Sequence, residues 1–131
     1  MADTMQFDLV SPERSLASFA AKEVQIPGAD GDMTAMPGHS PVITSLRPGV
    51  VRVQTAEGEK DFVVVGGFVE VTADSVSVIA ERAHAGTEVT KADLEDVLAE
   101  ARAKAGSAAT EEKDGAEKFV SDIVALLDAM D

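Results

Sequence analysis

The sequence feature that most constrains the fold is a change of pattern near residue 90. Before it, the chain consists of short segments, most of them rich in Val, Ile, Phe or Thr and bounded by Gly, Pro or Asp. These segments are residues 5–11, 16–19, 23–27, 42–46, 50–55, 62–65, 68–72 and 76–79. Many short β-type segments at close, regular spacing are typical of a β-sandwich or a β-barrel.

From Lys91 onward the chain is rich in Ala, Glu, Lys and Leu, and it contains no proline. Thr90, followed three residues later by Asp93, predicts a helix N-cap with a capping box, and Gly106 predicts the end of this helix. The apolar residues at helical spacing on one face are Leu94, Val97, Leu98, Ala101 and Ala105. We expect a polar loop over residues 107–115 and then a second amphipathic helix. Its apolar face holds Phe119, Ile123, Leu126, Leu127 and Met130.

Two helices of this kind, joined by a short loop, predict an antiparallel helical hairpin. Helices of about a dozen residues are marginally stable alone in water, so they need each other, the β domain or a partner. The sequence therefore predicts two domains, with β structure in residues 1–86 and the helical hairpin in residues 87–131.

The charge and the residue content exclude several classes of partner. The 24 acidic and 11 basic residues give a net charge of −13, which repels nucleic acids and anionic lipids. The chain has no cysteine, so disulfides and thiolate metal sites are excluded. Its apolar runs are far shorter than the roughly 20 residues of a membrane helix, and the N-terminus lacks the regions of a signal peptide. We therefore expect a cytoplasmic protein without direct lipid insertion, which reaches a membrane only through a partner.

The sequence contains little that resembles a catalytic or cofactor-binding motif. Its two histidines, His39 and His84, are not at metal-ligand spacing, and residues 38–42 depart from the pattern of a nucleophile elbow. A P-loop and a dinucleotide-binding glycine motif are both absent from the sequence. Asp30 and Asp32 lack the further ligands of a calcium loop. The residues therefore predict a binding or structural module without a cofactor, and not an enzyme.

The order of the glycine-containing turns carries more information than any single turn. Residues 28–51 read GADGDMTAMPGHSPVITSLRPGVV, residues 66–71 read GGFVEV, and residues 78–83 read VIAERA. Together with the opening segment FDLVSPE at residues 7–13, these motifs resemble the epsilon subunits of F-type ATP synthases, which are called delta in mitochondria. The resemblance covers nearly all of residues 5–85, in matching order and spacing.

The resemblance implies a fold, a set of partners and a mechanical role. It implies a ten-stranded β-sandwich followed by a C-terminal helical hairpin, in the central stalk of a proton-translocating ATP synthase. The partners are the gamma subunit, the ring of c subunits and, through the tail, the alpha/beta catalytic head. A non-catalytic rotor subunit of this kind couples rotation of the c ring to ATP synthesis, at the cytoplasmic face of the bacterial inner membrane. By position, the subunit-interface residues are Asp30, Asp32, Met33 and His39.

The tail departs from the family pattern in two ways. Many bacterial members have an Ile-Asp-x-x-Arg-Ala motif that helps to bind ATP, but here Thr90 replaces the Asp and Asp93 replaces the Arg. An acid in place of the cation repels a nucleotide phosphate, so we expect no useful ATP site. Residues 107–131 hold seven acids and two bases, a net charge of −5, whereas inhibitory family members use basic residues in their last helix. We therefore expect weak inhibition of ATP hydrolysis at most.

Two other interpretations remain open from the sequence alone. The chain could be a free-standing β-sandwich module whose apolar helix faces bind another protein. It could also be a small hydrolase that uses His39 with a nearby carboxylate, although no nucleophile or metal set accompanies this pair. Affinity for the gamma subunit distinguishes the first alternative, and loss of a turnover on replacing His39 by Ala distinguishes the second.

Overall fold

The computed structural model describes residues 4–86 and residues 90–129, with only the backbone of residue 129. The chain divides into two compact units, residues 1–87 and residues 88–131. The first unit consists of β-strands and the second of helices. Met130, which belongs to the predicted apolar face of the second helix, lies outside the described residues.

The described part of the first unit contains eight strands in one continuous sheet. They are β1 (Met5–Val10), β2 (Ser15–Ala21), β3 (Glu23–Gly28), β4 (Gly31–Ala35), β5 (Val42–Ser45), β6 (Gly49–Thr55), β7 (Gly58–Val71) and β8 (Ser75–Ala85). The strand order is β2-β1-β8-β7-β6-β3-β4, and β5 also pairs with β7. The β1–β8 pair is parallel and the other pairs are antiparallel.

The long strands β7 and β8 take part in both halves of this sheet. The first part of β7 pairs with β6 and its last four residues pair with β5, while β8 pairs with it along both parts. Gly66 and Gly67 lie between these two parts of β7, and their φ angles are 76° and 108°. A Cβ atom at Gly67 would overlap the carbonyl oxygen of Ile79, so the two strands can approach this closely only at a glycine.

This sharing of strands corrects the predicted strand count. Residues 62–65 and 68–72 were expected to form two strands, but up to Val71 they belong to the single strand β7. The described residues contain eight strands and not ten, because β7 and β8 each serve both halves of the sheet. The structure also contains β4 at Gly31–Ala35, a segment that was not among the predicted strands. This segment lacks a β-branched run and becomes a strand through antiparallel pairing with β3.

The core of the β unit is aliphatic and rich in valine, as the near absence of aromatic residues requires. Three of the five phenylalanines, Phe7, Phe19 and Phe62, form a mutual cluster. Their ring centroids lie 5.4, 6.0 and 6.4 Å apart, and Phe7 is completely buried. The cluster joins β7 to β1 and β2, which lie about 40 residues earlier in the chain, and it therefore stabilises the non-local packing of the β unit.

The second unit consists of α1 (Lys91–Ser107) and α2 (Thr110–Ala129), which pack on each other. Thr90 and Asp93 form the predicted capping box: the Thr90 hydroxyl accepts from Asp93 N at 3.2 Å, and Thr90 N donates to Asp93 Oδ2 at 3.0 Å. All five predicted apolar positions of α1 are buried, as are Ile123 and Leu126 of α2. Because only two residues connect the helices, they run antiparallel.

The predicted loop over residues 107–115 is wrong in its extent. The helix α1 continues one residue past Gly106 to Ser107, and α2 begins at Thr110. The polar residues 111–115 are the exposed first turns of α2, where the acids Glu111 and Glu112 favour the helix N-terminus. The polar residues 111–115 therefore belong to an exposed face of a helix and not to a loop. No helix in the described ranges is long and apolar enough to cross a membrane.

Candidate subunit-binding surfaces

Three of the four predicted interface residues lie on the β3–β4 hairpin. Residues 29 and 30 form the two-residue connection, so Asp30 lies at its exposed end. A Cβ atom at Gly28 would lie 2.7 Å from the carbonyl oxygen of Gly31, and Gly31 has a φ of 144°. The two glycines thus allow a tight connection that ordinary side chains would prevent.

This hairpin is attached to the connection between β5 and β6. Ala29 N donates to the carbonyl oxygen of Ser45 at 2.9 Å, and Arg47 N donates to the carbonyl oxygen of Pro27 at 3.0 Å. We refer to residues 27–33 and 45–49 together as the hairpin corner. These backbone hydrogen bonds fix the hairpin to the rest of the sheet, so its side chains have a defined position.

The Arg47 side chain makes two further links within the hairpin corner. Its Nη1 donates to the carbonyl oxygen of Gly28 at 2.6 Å, and its Nη2 forms an ion pair with Asp32. The Arg47 side chain is 28% exposed, whereas that of Asp32 is 79% exposed. The carboxylate of Asp32 is therefore engaged by a partly buried cation of the same chain.

Met33 is the apolar member of the predicted set. It is half-buried and packs against the core of the β unit. It also lines a depression of about 310 Å³ in the hairpin corner and the adjacent strands. The other lining residues are Gln25, Ile26, Pro27, Asp32, Thr34, Arg47, Gly49, Val50 and Arg52. Met33 therefore supports the hairpin more than it presents a free apolar surface.

Arg52, at the edge of this depression, is paired with the acids of β7. Its Nε lies 3.1 Å from Asp61 Oδ1 and 3.2 Å from Glu59 Oε1. The hydrogen bond that Arg52 donates to Asp61, then the charge of Asp61 and that of Glu59, raise the pKa of Arg52. The depression therefore has two arginines, each engaged by an acid of the chain, and this arrangement does not favour an anionic ligand.

His39 lies apart from the other three predicted residues, in the connection between β4 and β5. Its backbone N donates to Met36 O at 3.0 Å, and Gly38 N donates to Ala73 O at 2.7 Å. The turn is thereby attached to the β7–β8 connection and not to the hairpin corner. The His39 ring donates from Nδ1 to the carbonyl oxygen of Ser40 at 2.6 Å. The structure thus brings Asp30, Asp32 and Met33 together and places His39 elsewhere.

The sequence reasoning missed an exposed apolar surface on β5 and β7. Ile43 is 66% exposed and Phe68 is 47% exposed, which is unusual for side chains of this size. Strand register aligns Phe68 with Ile79 of β8, and Ile79 with Val10 of β1. We call these four residues the outer apolar face. Since Val69 and Val71 are buried, strict alternation along β7 already implied that Phe68 points outward.

The described residues contain no cluster that suggests metal or acid–base chemistry. No group of three or more His, Asp or Glu side chains in residues 4–86 and 90–128 is arranged to hold a metal ion. Within the same part of the chain, every buried side-chain nitrogen or oxygen has a hydrogen-bond partner. The fold therefore defines a β-sandwich protein with an appended helical hairpin, whose main surface features are the hairpin corner and the outer apolar face.

Comparison with known proteins identifies the family. A family model described as the β-sandwich domain of the ATP synthase delta/epsilon chain matches residues 4–86. The chain is 56% identical over 126 residues to an ATP synthase epsilon chain of Cereibacter sphaeroides, with 96% of each chain covered. It is 50% identical over 132 residues to that of Paracoccus denitrificans, which covers 100% of this chain and 88% of the relative. The chain belongs to the delta/epsilon family of ATP synthase, a family of non-catalytic subunits.

Solved structures agree with this assignment at the level of the fold. A chain in the cryo-EM structure of the Euglena gracilis mitochondrial ATP synthase has a TM-score of 0.74 and 24% identity, with 99% of this chain and 82% of that chain covered. A chain in the Tetrahymena thermophila mitochondrial ATP synthase has a TM-score of 0.65 and 17% identity, with 96% and 95% covered. The predicted resemblance and the β-sandwich class are confirmed, and the free-standing module and the hydrolase are not favoured.

Proposed function

We propose that this chain is a rotor subunit of the central stalk, which couples rotation of the c ring to ATP synthesis in the catalytic head. Its β unit binds the gamma subunit and the c ring, and its location is the cytoplasmic face of the bacterial inner membrane. The family assignment supports this role, and the Tetrahymena structure is itself described as central stalk and c ring. Residues 1–86 then hold the binding surfaces, and residues 87–131 form a separate helical appendage.

The outer apolar face is the observation that carries the proposal. Ile43 and Phe68 expose large apolar side chains on a rigid sheet, although the chain as a whole is strongly acidic. Burying an exposed Ile or Phe side chain contributes about 1.5–3 kcal/mol, so two together are sufficient anchors for a protein interface. We assign this face to gamma, and the hairpin corner, with its carboxylates, to the polar loops of the c ring.

The experiment is a binding measurement with the full-length chain and ATP synthase stripped of this subunit. The double variant Ile43→Asp/Phe68→Asp places two charges in the apolar contact, and we expect its Kd to rise by roughly 100-fold or more. The matched control Ala99→Asp/Ala103→Asp adds the same charge at exposed positions of α1 and should bind like the wild type. Undiminished binding by the Ile43/Phe68 variant would remove this face from the interface, and failure of the wild type to bind would reject the central-stalk role.

We further propose that the helical hairpin neither binds ATP usefully nor inhibits hydrolysis strongly. The two positions that differ from the family's nucleotide motif, Thr90 and Asp93, are engaged with each other in the capping box of α1. The acids of α2 make it a poor match for an acidic catalytic surface. Titration of the chain with Mg-ATP, followed by calorimetry, should give no binding at millimolar nucleotide, and a measurable Kd below that range would contradict this.

A further inference from the structure

We infer that Asp30, and not Asp32, makes the electrostatic contact of the hairpin corner with a cationic group of its partner, and that Arg47 determines this division by holding Asp32. The inference rests on the proposed function, in which the hairpin corner meets the c ring. It assigns different roles to two acids that are separated by one residue and that the sequence does not distinguish.

Asp32 is committed to an internal contact. Its carboxylate pairs with Arg47, whose Nη1 also donates to the carbonyl oxygen of Gly28 at 2.6 Å. The backbone N of Arg47 is bonded to Pro27 O at 3.0 Å, so the arginine is held at both its main chain and its guanidinium. A partner cation could reach Asp32 only by competing with this anchored guanidinium.

Asp30 has the opposite environment. It is exposed at the end of the hairpin, and within residues 4–86 and 90–129 its carboxylate has no hydrogen-bond or ion-pair partner. The sequence between Glu23 and Leu46 contains no lysine or arginine that could neutralise it. Asp30 therefore presents an unpaired carboxylate at the exposed end of the β3–β4 hairpin.

Arg47 is accordingly a positioning residue. Its guanidinium neutralises Asp32. It also donates a hydrogen bond to the carbonyl oxygen of Gly28, at the end of β3 that leads to Asp30. Removing the arginine would leave two unpaired carboxylates facing the partner instead of one. The number of unpaired charges at an interface is read out by the dependence of affinity on ionic strength, whereas loss of packing alone changes affinity at all salt concentrations alike.

The test measures the Kd of full-length variants for stripped ATP synthase between about 0.05 and 0.3 M salt. Asp30→Asn should weaken binding about two- to fivefold at low salt and flatten the salt dependence. Asp32→Asn alone would leave the Arg47 guanidinium without its carboxylate, so Asp32 is tested together with Arg47. Arg47→Met should steepen the salt dependence, and Arg47→Lys should restore the wild-type slope. In the double variant Asp32→Asn/Arg47→Met the slope should also return to that of the wild type.

Glu95→Gln, which removes one negative charge from the exposed face of α1, is the control for net charge and should leave the slope unchanged. The inference is wrong if the double variant Asp32→Asn/Arg47→Met flattens the salt dependence as much as Asp30→Asn, or if Arg47→Met leaves the slope unchanged. Both outcomes presuppose that the wild type binds the stripped enzyme. Absence of wild-type binding would instead reject the proposed function itself.

Discussion

The β unit and the helical unit of this chain are built on contacts of different range. In the β unit, the ring of Phe7 contacts that of Phe62, and β1 pairs with β8 from the other end of the unit. In the helical unit, Thr90 caps a helix through Asp93, three residues away, and α1 contacts α2 across a two-residue connection. The β unit therefore depends on many distant residues at once, whereas the helices depend on local signals and one narrow apolar stripe.

This difference indicates which of the two units is suited to hold the binding surfaces in a fixed position. Exact positioning of the hairpin corner and the outer apolar face requires a rigid support, which a sheet with a continuous buried core provides. Two helices held together by a few buried residues separate more easily, because their separation exposes less apolar surface to water. Substitutions should therefore cost more, and act more globally, in the β unit than in the helical unit.

The largest expected effect is at the aromatic cluster. Phe7→Ala removes a completely buried ring and leaves a cavity, so it should lower the free energy of unfolding of the β unit by about 3–5 kcal/mol. Urea unfolding followed by circular dichroism measures this change. Ile43→Ala, at an exposed position of β5, is the control and should cost less than about 0.5 kcal/mol. A small effect at Phe7 would mean that the three rings do not join the two halves of the sheet.

Two glycines provide a direct comparison of the units. Gly67→Ala creates overlap with the backbone of β8 at a positive φ, and we expect a loss of about 3 kcal/mol. Gly106→Ala introduces a methyl group into open space in the last turn of α1, and we expect a gain of up to about 1 kcal/mol in the stability of the helical unit. Both are measured by thermal unfolding of the full-length chain. Equal signs for the two substitutions would contradict the assigned difference between strand and helix.

The smallest of these effects is at the N-cap of α1. Thr90→Ala removes the hydroxyl that accepts from Asp93 N, which should cost about 1 kcal/mol. The loss should be confined to the helical unit, so amide hydrogen exchange should accelerate in α1 while the strands stay protected. Thr90→Ser keeps the hydroxyl and serves as the control. Faster exchange throughout the sheet would indicate that the two units unfold together.

Much of the architecture could be predicted from the sequence, because helices and their caps depend on residues that are close together in the chain. The capping box and the apolar stripe of α1 were found at the right residues, since both depend on spacings of three and four positions. β4 was missed because Gly31–Ala35 has no strand pattern of its own and is formed by pairing with β3. The strand count failed for a similar reason: whether residues on either side of Gly66 belong to one strand depends on their partner β8.

The candidate surfaces were less accessible to sequence reasoning. The resemblance pointed to Asp30, Asp32, Met33 and His39, and the structure groups the first three while holding His39 near Ala73. The ion pair between Asp32 and Arg47 joins residues fifteen positions apart and becomes visible only once β3, β4 and the β5–β6 connection are assembled. The outer apolar face likewise arises from strand pairing, which brings together residues of the four strands β1, β5, β7 and β8.

The central claim is that the β unit carries attachment and coupling, and that the helical hairpin is dispensable for both. The most direct measurement compares stripped ATP synthase reconstituted with the full-length chain and with a chain that ends at Gly86. We predict that the shortened chain restores ATP-driven proton pumping and leaves the rate of ATP hydrolysis within about twofold of the full-length value. A several-fold rise in hydrolysis on truncation, or a failure of the folded β unit to restore pumping, would contradict the claim.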